Sequence, residues 1–577
     1  MAAACPSQTA GSGNRPARDG GGRCRPPQRC PARRTCPEIF LRYRPDDTPD
    51  HHTKTVTGMK LPSAVFLLSL IACVSAASAT EIAPAIRDQV EHNDSAELRE
   101  FYVARDFAPA WADRERGIAI TALAQADKEG LNPSDYHITY NPRPSTVDAA
   151  ARQDIALTAT LLRYARDLHN GRLLPGAVYG DADLPAPPFN PVPALVTALQ
   201  TGTLAAFVAA LPPQYADYAF LRQALSRYRS LAAQGAVVPL AAMKGSVADL
   251  TPAEQHALRQ RLEWEGFAGN SAESTTGSLA IALKAFQTSN GLVPDGKLGP
   301  KTMQALNISA AYRVQQIEAN MERRRWLPHQ PEDRYIAVNT ADTTLTVVEG
   351  GKVVLASRVV TGKPKTPTPL LSATVTAVTV NPPWNVPYSI AAGEILPKLR
   401  RDPTYLTRQN MILQNGPPND PHGLTVDWQH ISASSFPFRI QQVPGEKNAL
   451  GRLKLEMPNR LQVYLHDTPA KALFSQPERF FSHGCIRVQK VTALAQYALT
   501  GDPASDVARL IQPGSDTRRL PLEKPLKVYV LYWTVFRGED GAVAFRNDVY
   551  GRDAQLIAAL SNKRITLSKP SQTECSA

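Results

Sequence analysis

The sequence predicts a multidomain α+β protein: a helical scaffold, a compact three-helix module, and a mostly-β domain that carries a long insertion. The chain has 577 residues, which is too many for one ordinary hydrophobic core. Apolar residues recur with a helical period through the first half and alternate as in strands from residue 334 onward. The composition, 43% apolar and 20% charged, is typical of globular domains.

Residues 1–58 are rich in Gly, Pro, Arg and Ser and show no apolar period. Such a segment cannot bury enough apolar surface to offset the entropy of ordering it, so we predict a disordered extension. Residues 59–79 have the basic start, the apolar stretch and the small-residue exit (Ala77-Ser78-Ala79) of a secretory signal peptide. A signal normally begins a chain, so the extension is interpreted as upstream of the native start, at Met59.

Export through this signal would deliver the mature chain to the periplasm. Cleavage after Ala79 would release it in soluble form. The string from Leu70 to Cys73 also resembles a bacterial lipobox, and lipidation of Cys73 would tether the protein to a membrane. Both routes of processing stay open, with the soluble form favoured.

The formal net charge is +12, but much of this excess lies in residues 1–60. The remainder is mildly basic, which suits an anionic polymer as a partner. Basic residues do not interleave with aromatic ones, so we expect no nucleic-acid partner.

Residues 80–245 are predicted to form the helical scaffold, because apolar residues such as Leu157, Leu161 and Leu162 recur at helical spacing. This segment shows no acid/base or metal-binding pattern. Residues 247–308 are predicted to form the three-helix module. Thr251 to Glu254 make a capping box, and Asn290-Gly291 is a helix stop.

Residues 333–560 are predicted to form the mostly-β domain, followed by a polar tail at 561–577. A Gly350-Gly351 turn joins two strands as a hairpin. Residues 383–460 show little regular period, which is typical of a lid inserted in an enzyme. A strand is predicted at Leu461 to Leu465, and a last hairpin is predicted to join Val528–Tyr532 to Val543–Phe545.

Of the seven cysteines, only Cys485 and Cys575 lie beyond the predicted signal, and Cys575 is third from the end. A lone interior cysteine in an exported protein is a candidate nucleophile, because exported thiols otherwise tend to be oxidised. Taken alone, Cys485 is as well explained as a small buried apolar residue.

The residues around Cys485 favour the nucleophile. Cys485 stands in the string Ser482-His483-Gly484-Cys485-Ile486-Arg487, and His466 lies at the end of a strand, with fifteen residues between it and Ser482. A thiolate attacks carbonyl carbon, and a nearby imidazole can take the thiol proton.

The neighbours of Cys485 suggest supporting roles. Gly484 would let the backbone approach a tetrahedral intermediate, and the amides of Gly484 and Cys485 are candidate oxyanion donors. Arg487 could hold a substrate carboxylate, with a structural salt bridge as the alternative. For Trp384 and Tyr464 we expect core packing.

These motifs resemble the L,D-transpeptidase catalytic domain of the YkuD family. Strings around Thr361-Gly362-Lys363-Pro364, Trp384 and Asn448-Ala449-Leu450-Gly451 fit the same family. The string from Leu283 to Thr302 resembles the three-helix peptidoglycan-binding module. Together they resemble the large, YcbB-like subgroup, which has a helical scaffold and a lid.

The resemblance implies that Cys485 is the nucleophile, that His466 is the general base and that His483 shapes the site, with Ser482, Gly484 and Arg487 serving substrate or oxyanion. The implied activity forms 3→3 cross-links between diaminopimelate residues, with peptidoglycan stem peptides and glycan strands as partners. No cofactor and no metal are expected, and the oligomeric state stays open.

Three alternatives remain at this point. Water as the acceptor would give an L,D-carboxypeptidase or an L,D-endopeptidase. A zinc peptidase would use His466, His483 and Cys485 as metal ligands. A non-catalytic wall-binding protein would use only residues 247–308.

Overall fold

The computed structural model describes residues 79–185, 188–235, 239–267, 276–501 and 516–562. The expectations for the upstream extension, for most of the signal peptide including Cys73, and for the tail at 563–577 lie outside these residues. The described helices are α1 (Ala79–Glu91), α2 (Ala96–Val103), α3 (Asp113–Ala124), α4 (Val147–Asn170), α5 (Pro175–Tyr179), α6 (Val192–Gln200), α7 (Leu204–Ala210), α8 (Ala216–Ala233), α9 (Pro252–Glu265), α10 (Thr276–Ser289), α11 (Pro300–Leu306), α12 (Ala310–Arg325), α13 (Tyr388–Ile390), α14 (Leu396–Arg401), α15 (Tyr405–Arg408), α16 (Val491–Thr500) and α17 (Arg552–Ser561).

Helices α1 to α8 form the scaffold that the apolar spacing predicted. The longest of them, α4, begins at a cap in which the Thr146 side chain accepts a hydrogen bond from the Ala149 amide. Its buried stripe includes Leu157, Leu161 and Leu168, which pack in one core with α1, α2, α3 and α6.

Helices α9 to α11 form the compact module. The predicted capping box is present, because Thr251 and Glu254 exchange hydrogen bonds at the start of α9. Leu283 and Phe286 of α10 are fully buried in the module's own core together with Leu258 of α9. The prediction of a three-helix unit is confirmed.

Helix α12 connects the scaffold to the rest of the chain through three consecutive buried arginines. Arg323 pairs with Asp553 of α17 at 2.5 Å, and both side chains are almost completely excluded from solvent. Arg324 pairs with Asp217 of α8 at 2.6 Å, and Arg325 pairs with Glu322 within α12 at 2.9 Å. Buried ion pairs of this kind hold the helices in one arrangement, because losing either partner leaves an unpaired buried charge.

The second half of the chain is built on strands. They are β1 (Arg334–Asn339), β2 (Thr344–Glu349), β3 (Lys352–Gly362), β4 (Leu371–Val380), β5 (Trp384–Asn385), β6 (Met411–Leu413), β7 (Ile440–Gln442), β8 (Leu453–Glu456), β9 (Leu465–His466), β10 (Phe480–Ser482), β11 (Ile486–Val488), β12 (Arg518–Leu531), β13 (Val535–Arg537) and β14 (Val543–Phe545). The main sheet has the order β10-β3-β11-β9-β8-β4-β12-β1-β2.

The main sheet closes on itself, because β2 pairs with β3 as well as with β1. Its interior is apolar, with Leu345, Val375, Leu465 and Ile486 fully buried, and α16 packs against the same cluster. The fold class is therefore confirmed: a helical scaffold, a helical module and a β-rich domain.

One predicted strand pairing and one predicted strand boundary are wrong. Val528–Tyr532 is not part of the last hairpin, since β12 lies between β1 and β4 in the main sheet and the hairpin is β13 with β14. The predicted strand at 461–465 is reduced to Leu465 and His466. Gln462 has a left-handed backbone (φ 54°), which interrupts extended structure just before the strand.

The predicted lid is more regular than its sequence suggests. It contains α13, a π-helical turn at Ala391–Ile395, α14, α15 and a small sheet of β5, β7 and β6. Its own apolar core includes Leu396, Leu406 and Trp428. Its last residues, in β8, pair with β4 of the main sheet, so the part outside that sheet is shorter than the predicted 383–460.

No helix within the described ranges combines the length and the apolar character that crossing a membrane requires.

Candidate active site

The parallel pairing of β9 with β11 brings the predicted nucleophile and base onto one face of the sheet. Leu465 lies opposite Ile486, and His466 lies opposite Arg487. The Ile486 amide donates to the Tyr464 carbonyl at 3.1 Å, which sets Cys485 beside Tyr464. Because side chains alternate along a strand, Cys485 and His466 project away from the buried Leu465–Ile486 pair.

Cys485 is a partly exposed free thiol. Its Sγ lies 3.9 Å from the carbonyl oxygen of Gln462, and its side chain also hydrogen-bonds with Tyr464. Burial raises the pKa of the Cys485 thiol, while Tyr464, Lys454 and Arg487 act in the opposite direction. The net effect is a thiol that keeps its proton at neutral pH until a base removes it.

His466 is 4% exposed, and its Nδ1 lies 2.5 Å from the carbonyl oxygen of Asp467. A carbonyl only accepts, so Nδ1 carries the proton and donates it, which leaves the Nε2 lone pair free to act as a base. Burial, with help from the positive charge of Arg487, lowers the pKa of His466 to about 3. The resting pair is therefore a neutral thiol and a neutral imidazole.

The Ser482–Cys485 loop is braced by its own hydroxyl groups. Ser482 Oγ donates to the Cys485 carbonyl at 2.6 Å and accepts from the Gly484 amide at 3.1 Å. Thr368 Oγ1 donates to the Gly484 carbonyl at 2.8 Å. In the free protein Ser482 therefore binds the Gly484 amide, one of the two amides that the sequence predicted as oxyanion donors; the Cys485 amide is the other, and both roles stay predictions.

Gly484 has φ 116°, a backbone conformation that other residues rarely adopt. The glycine therefore lets the chain turn between the exposed His483 and the strand that follows Cys485. The backbone conformation therefore requires glycine at position 484. The sequence alone suggested a different reason for this glycine, the close approach of the backbone to a substrate.

Arg487 is half-buried beside the nucleophile, and its Nε is buried without a hydrogen-bond partner in the described part of the chain. The alternative of a structural salt bridge is thus not observed within these residues. Lys454 lies opposite His466 on the other side, with its ammonium 4.6 Å from the centre of the Tyr464 ring. Together the two cations make the face around Cys485 attractive to a carboxylate.

Tyr464 is a site residue for which the sequence predicted only core packing. Its ring is half-exposed and lies 5.5 Å from the His466 ring, and its hydroxyl group interacts with the Cys485 side chain and with Trp384. A signal was present in the sequence, since Tyr464 and His466 are two residues apart on a strand and so share a face.

His483 points from the loop toward the insertion. Its Nε2 lies 2.5 Å from Oε1 of Glu394, in the π-helical turn. The described residues contain no group of three or more His, Cys, Asp or Glu side chains that could hold a metal ion. His466, His483 and Cys485 therefore do not converge as the zinc alternative requires.

Three family models match separate segments of the chain. Residues 96–225 match a model described as "Scaffold domain", and residues 252–306 match "Putative peptidoglycan binding domain". Residues 333–505, which include Cys485 and His466, match "L,D-transpeptidase catalytic domain". The segments coincide with the scaffold, the three-helix module and the β-rich domain.

A curated relative from Haemophilus influenzae, "Putative L,D-transpeptidase", is 32% identical over 250 residues, which is 43% of this chain. The chain spans half the length of that relative. A crystal structure of the L,D-transpeptidase from Xylanimonas cellulosilytica DSM 15894 is 17% identical and covers 51% of this chain and 99% of its own. Its TM-score is 0.17, too low to bear on the fold.

Proposed function

We propose that this chain, which contains an L,D-transpeptidase catalytic domain and a peptidoglycan-binding domain, transfers acyl groups between peptidoglycan stem peptides through Cys485. The observation that carries the proposal is the shared face of Cys485 and His466 in the matched domain. The product of the transfer would be a peptide dimer with a 3→3 cross-link between two diaminopimelate residues.

In the first half-reaction, Cys485 Sγ attacks the carbonyl carbon between diaminopimelate and the terminal D-Ala of a tetrapeptide stem. The thiol proton passes to Nε2 of His466 as the C–S bond forms. The C–N bond then breaks, and the leaving D-Ala amine takes that proton from His466. The result is a thioester on Cys485 and a neutral imidazole.

In the second half-reaction, the free amine of an acceptor diaminopimelate attacks the thioester. Its proton passes to His466 as the new C–N bond forms, the C–S bond breaks, and the thiolate recovers the proton from His466. Water in place of the amine would release a tripeptide, which is the carboxypeptidase alternative.

The resting protonation state suits this order of events. Both groups are neutral, so His466 acts as a base during the attack rather than beforehand as part of an ion pair. The carbonyl of Asp467 keeps the imidazole in the tautomer that can accept the proton.

The test is to incubate the protein with disaccharide-tetrapeptide and to follow both protein and peptides by mass spectrometry. We expect a tripeptide adduct on Cys485, a 3→3 dimer, and loss of both in Cys485→Ala and His466→Ala. Tripeptide without dimer would support the carboxypeptidase, and no adduct on folded protein would overturn the proposal. Activity that survives thiol alkylation would contradict the cysteine mechanism.

Export to the periplasm is part of the proposal, because stem peptides are assembled into the wall outside the cytoplasm. The signal-like segment at 59–79 is what supports it. Cell fractionation with and without these residues tests it, and globomycin treatment distinguishes cleavage after Ala79 from lipidation of Cys73.

A further inference from the structure

The insertion contacts the nucleophile loop through a carboxylate–histidine pair. Neither side chain takes part in the proposed acyl transfer at Cys485. Glu394 Oε1 lies 2.5 Å from His483 Nε2, two residues before Cys485 in the chain. The two side chains are 44% and 32% exposed, respectively, so solvent and a substrate can reach both. A carboxylate is therefore fixed at the rim of the site and remains accessible.

The position of Glu394 is set by packing. Its neighbours Ala391, Ala392 and Ile395 are buried in the insertion's core, while Glu394 itself faces outward. The turn that carries it is π-helical, a conformation that often occurs at functional sites. The backbone is thus held by the core, and the carboxylate is directed at the loop.

Glu394 is charged at neutral pH. Partial burial acts to raise its pKa, but the hydrogen bond and the positive charge of His483, followed by the charges of Lys363 and Lys398, outweigh it, so the pKa lies below its usual range. Lys363 belongs to the same rim, because its amide donates to the Ser482 carbonyl at 3.0 Å. Lys398 is engaged within the insertion, where its ammonium donates to the Tyr405 hydroxyl at 3.3 Å. The rim therefore presents the anion of Glu394 and the cation of Lys363 next to the Cys485 loop.

The second substrate of the proposed reaction has the complementary pattern. The free end of an acceptor diaminopimelate carries an ammonium and a carboxylate on one carbon atom. A carboxylate favours the ammonium and a lysine favours the carboxylate, and charge-assisted hydrogen bonds are about twice as strong as neutral ones. Water carries neither group, so such contacts would favour the amine over water.

We propose that Glu394 and Lys363 form the acceptor subsite, which binds the ammonium and carboxylate of the acceptor diaminopimelate and sets the ratio of transfer to hydrolysis. This inference rests on the proposed function. In the free protein His483 is hydrogen-bonded to Glu394, and the incoming ammonium shares or replaces that contact. The ammonium then loses one proton to solvent, and the neutral amine attacks the thioester. Donor attack at Cys485 does not involve the subsite.

The test compares Glu394→Gln with Asp427→Asn as a matched control. Asp427 also pairs with a histidine, His430 at 2.6 Å, and both residues lie within the insertion. Intact-mass measurements give the rate of acylation of Cys485, and chromatography of the peptides gives the ratio of dimer to tripeptide. Circular dichroism confirms that each variant is folded.

For Glu394→Gln we expect acylation within twofold of the unmodified protein, a raised KM for the acceptor, and a dimer-to-tripeptide ratio at least tenfold lower. Asp427→Asn should change none of these. Lys363→Met gives a second, independent measurement: it should abolish the preference for a diaminopimelate acceptor over a lysine acceptor, which lacks the carboxylate.

An unchanged product ratio in both Glu394→Gln and Lys363→Met, with acylation intact, would overturn the inference and leave the proposed function standing. Equal slowing of acylation and transfer would also overturn it, since Glu394 would then act only on the loop. Failure of the unmodified protein to form any adduct on Cys485 would instead reject the proposed function itself.

Discussion

Arg487 lies directly opposite His466 in the parallel pairing of β9 with β11. The guanidinium and the imidazole therefore project from one face, and the positive charge adds to burial in lowering the pKa of His466. Since the Nε of Arg487 is buried without a partner in the described residues, an incoming carboxylate would satisfy it and offset its charge. Donor binding would then make His466 a stronger base at the moment it is needed.

Replacing Arg487 with Met should lower kcat/KM for a tetrapeptide donor by about 10- to 100-fold, because a hydrogen bond to a charged group contributes roughly 1.5–3 kcal/mol. For a donor whose terminal carboxylate is amidated, the same substitution should lower kcat/KM much less. Steady-state kinetics with the two donors measure the difference. Lys490→Met, an exposed cation just beyond β11, is the control. Equal losses with both donors would contradict a carboxylate-binding role.

The rate of alkylation of Cys485 by iodoacetamide should rise with pH through a midpoint higher than that of an unperturbed cysteine. The reason is that burial raises the pKa of the thiol, and the neutral imidazole cannot stabilise a thiolate as an ion pair. Because His466 titrates near pH 3, no step should appear between pH 5 and 8. A plateau of high reactivity across that interval would instead indicate a preformed thiolate–imidazolium pair.

Tyr464→Phe should move the same alkylation midpoint to higher pH and slow the acylation of Cys485. The hydroxyl of Tyr464 hydrogen-bonds with the thiol and lowers its pKa, so removing the hydroxyl leaves the thiolate less stable. Tyr529→Phe is the control, because the hydroxyl of Tyr529 bonds to Glu332 at 2.7 Å elsewhere on the sheet. A variant with slower acylation and an unmoved midpoint would mean that Tyr464 acts by packing alone.

The sequence predicted the parts of the fold that local pattern determines. The caps of α9, the stop after α10 and the Gly350-Gly351 hairpin follow from neighbouring residues. Strand β12 was misassigned because its partners, β1 and β4, are distant in the chain, and alternation does not identify partners.

For the candidate site, too, the sequence predicted what local motifs determine and not what tertiary structure adds. Cys485 and His466 could be predicted as candidates because their residue types and spacing form a motif. Thr368 and Glu394 were missed, since each reaches the loop through tertiary structure. Tyr464 was expected to pack in the core, although its spacing from His466 indicates a shared face. Sequence also does not show that the Gly484 amide, predicted as an oxyanion donor, donates a hydrogen bond to Ser482 Oγ in the free protein.

Thr368→Val should reduce both stability and acylation, whereas Thr368→Ser should retain most of each. The buried hydroxyl of Thr368 donates to the Gly484 carbonyl and accepts from the Gly362 amide at 2.9 Å. Valine keeps the shape but leaves two backbone groups unsatisfied, each costing about 1–3 kcal/mol. Urea unfolding and the rate of acylation measure the two effects. Unchanged acylation in a destabilised valine variant would show that the brace does not position the loop.

Asp553→Asn should lower the free energy of unfolding by about 3–5 kcal/mol, since it leaves the guanidinium of Arg323 charged and buried without its counterion. Asp553 is completely excluded from solvent, and it also accepts hydrogen bonds from Thr534 and Gln316. Urea unfolding measures the loss, with Glu539→Gln in the exposed hairpin turn as the control. Because Arg323 and Asp553 join α12 to α17, the loss should come with unfolding of both helices by hydrogen exchange. A change below about 1 kcal/mol, the range of a surface pair, would show that the contact is not essential to the junction.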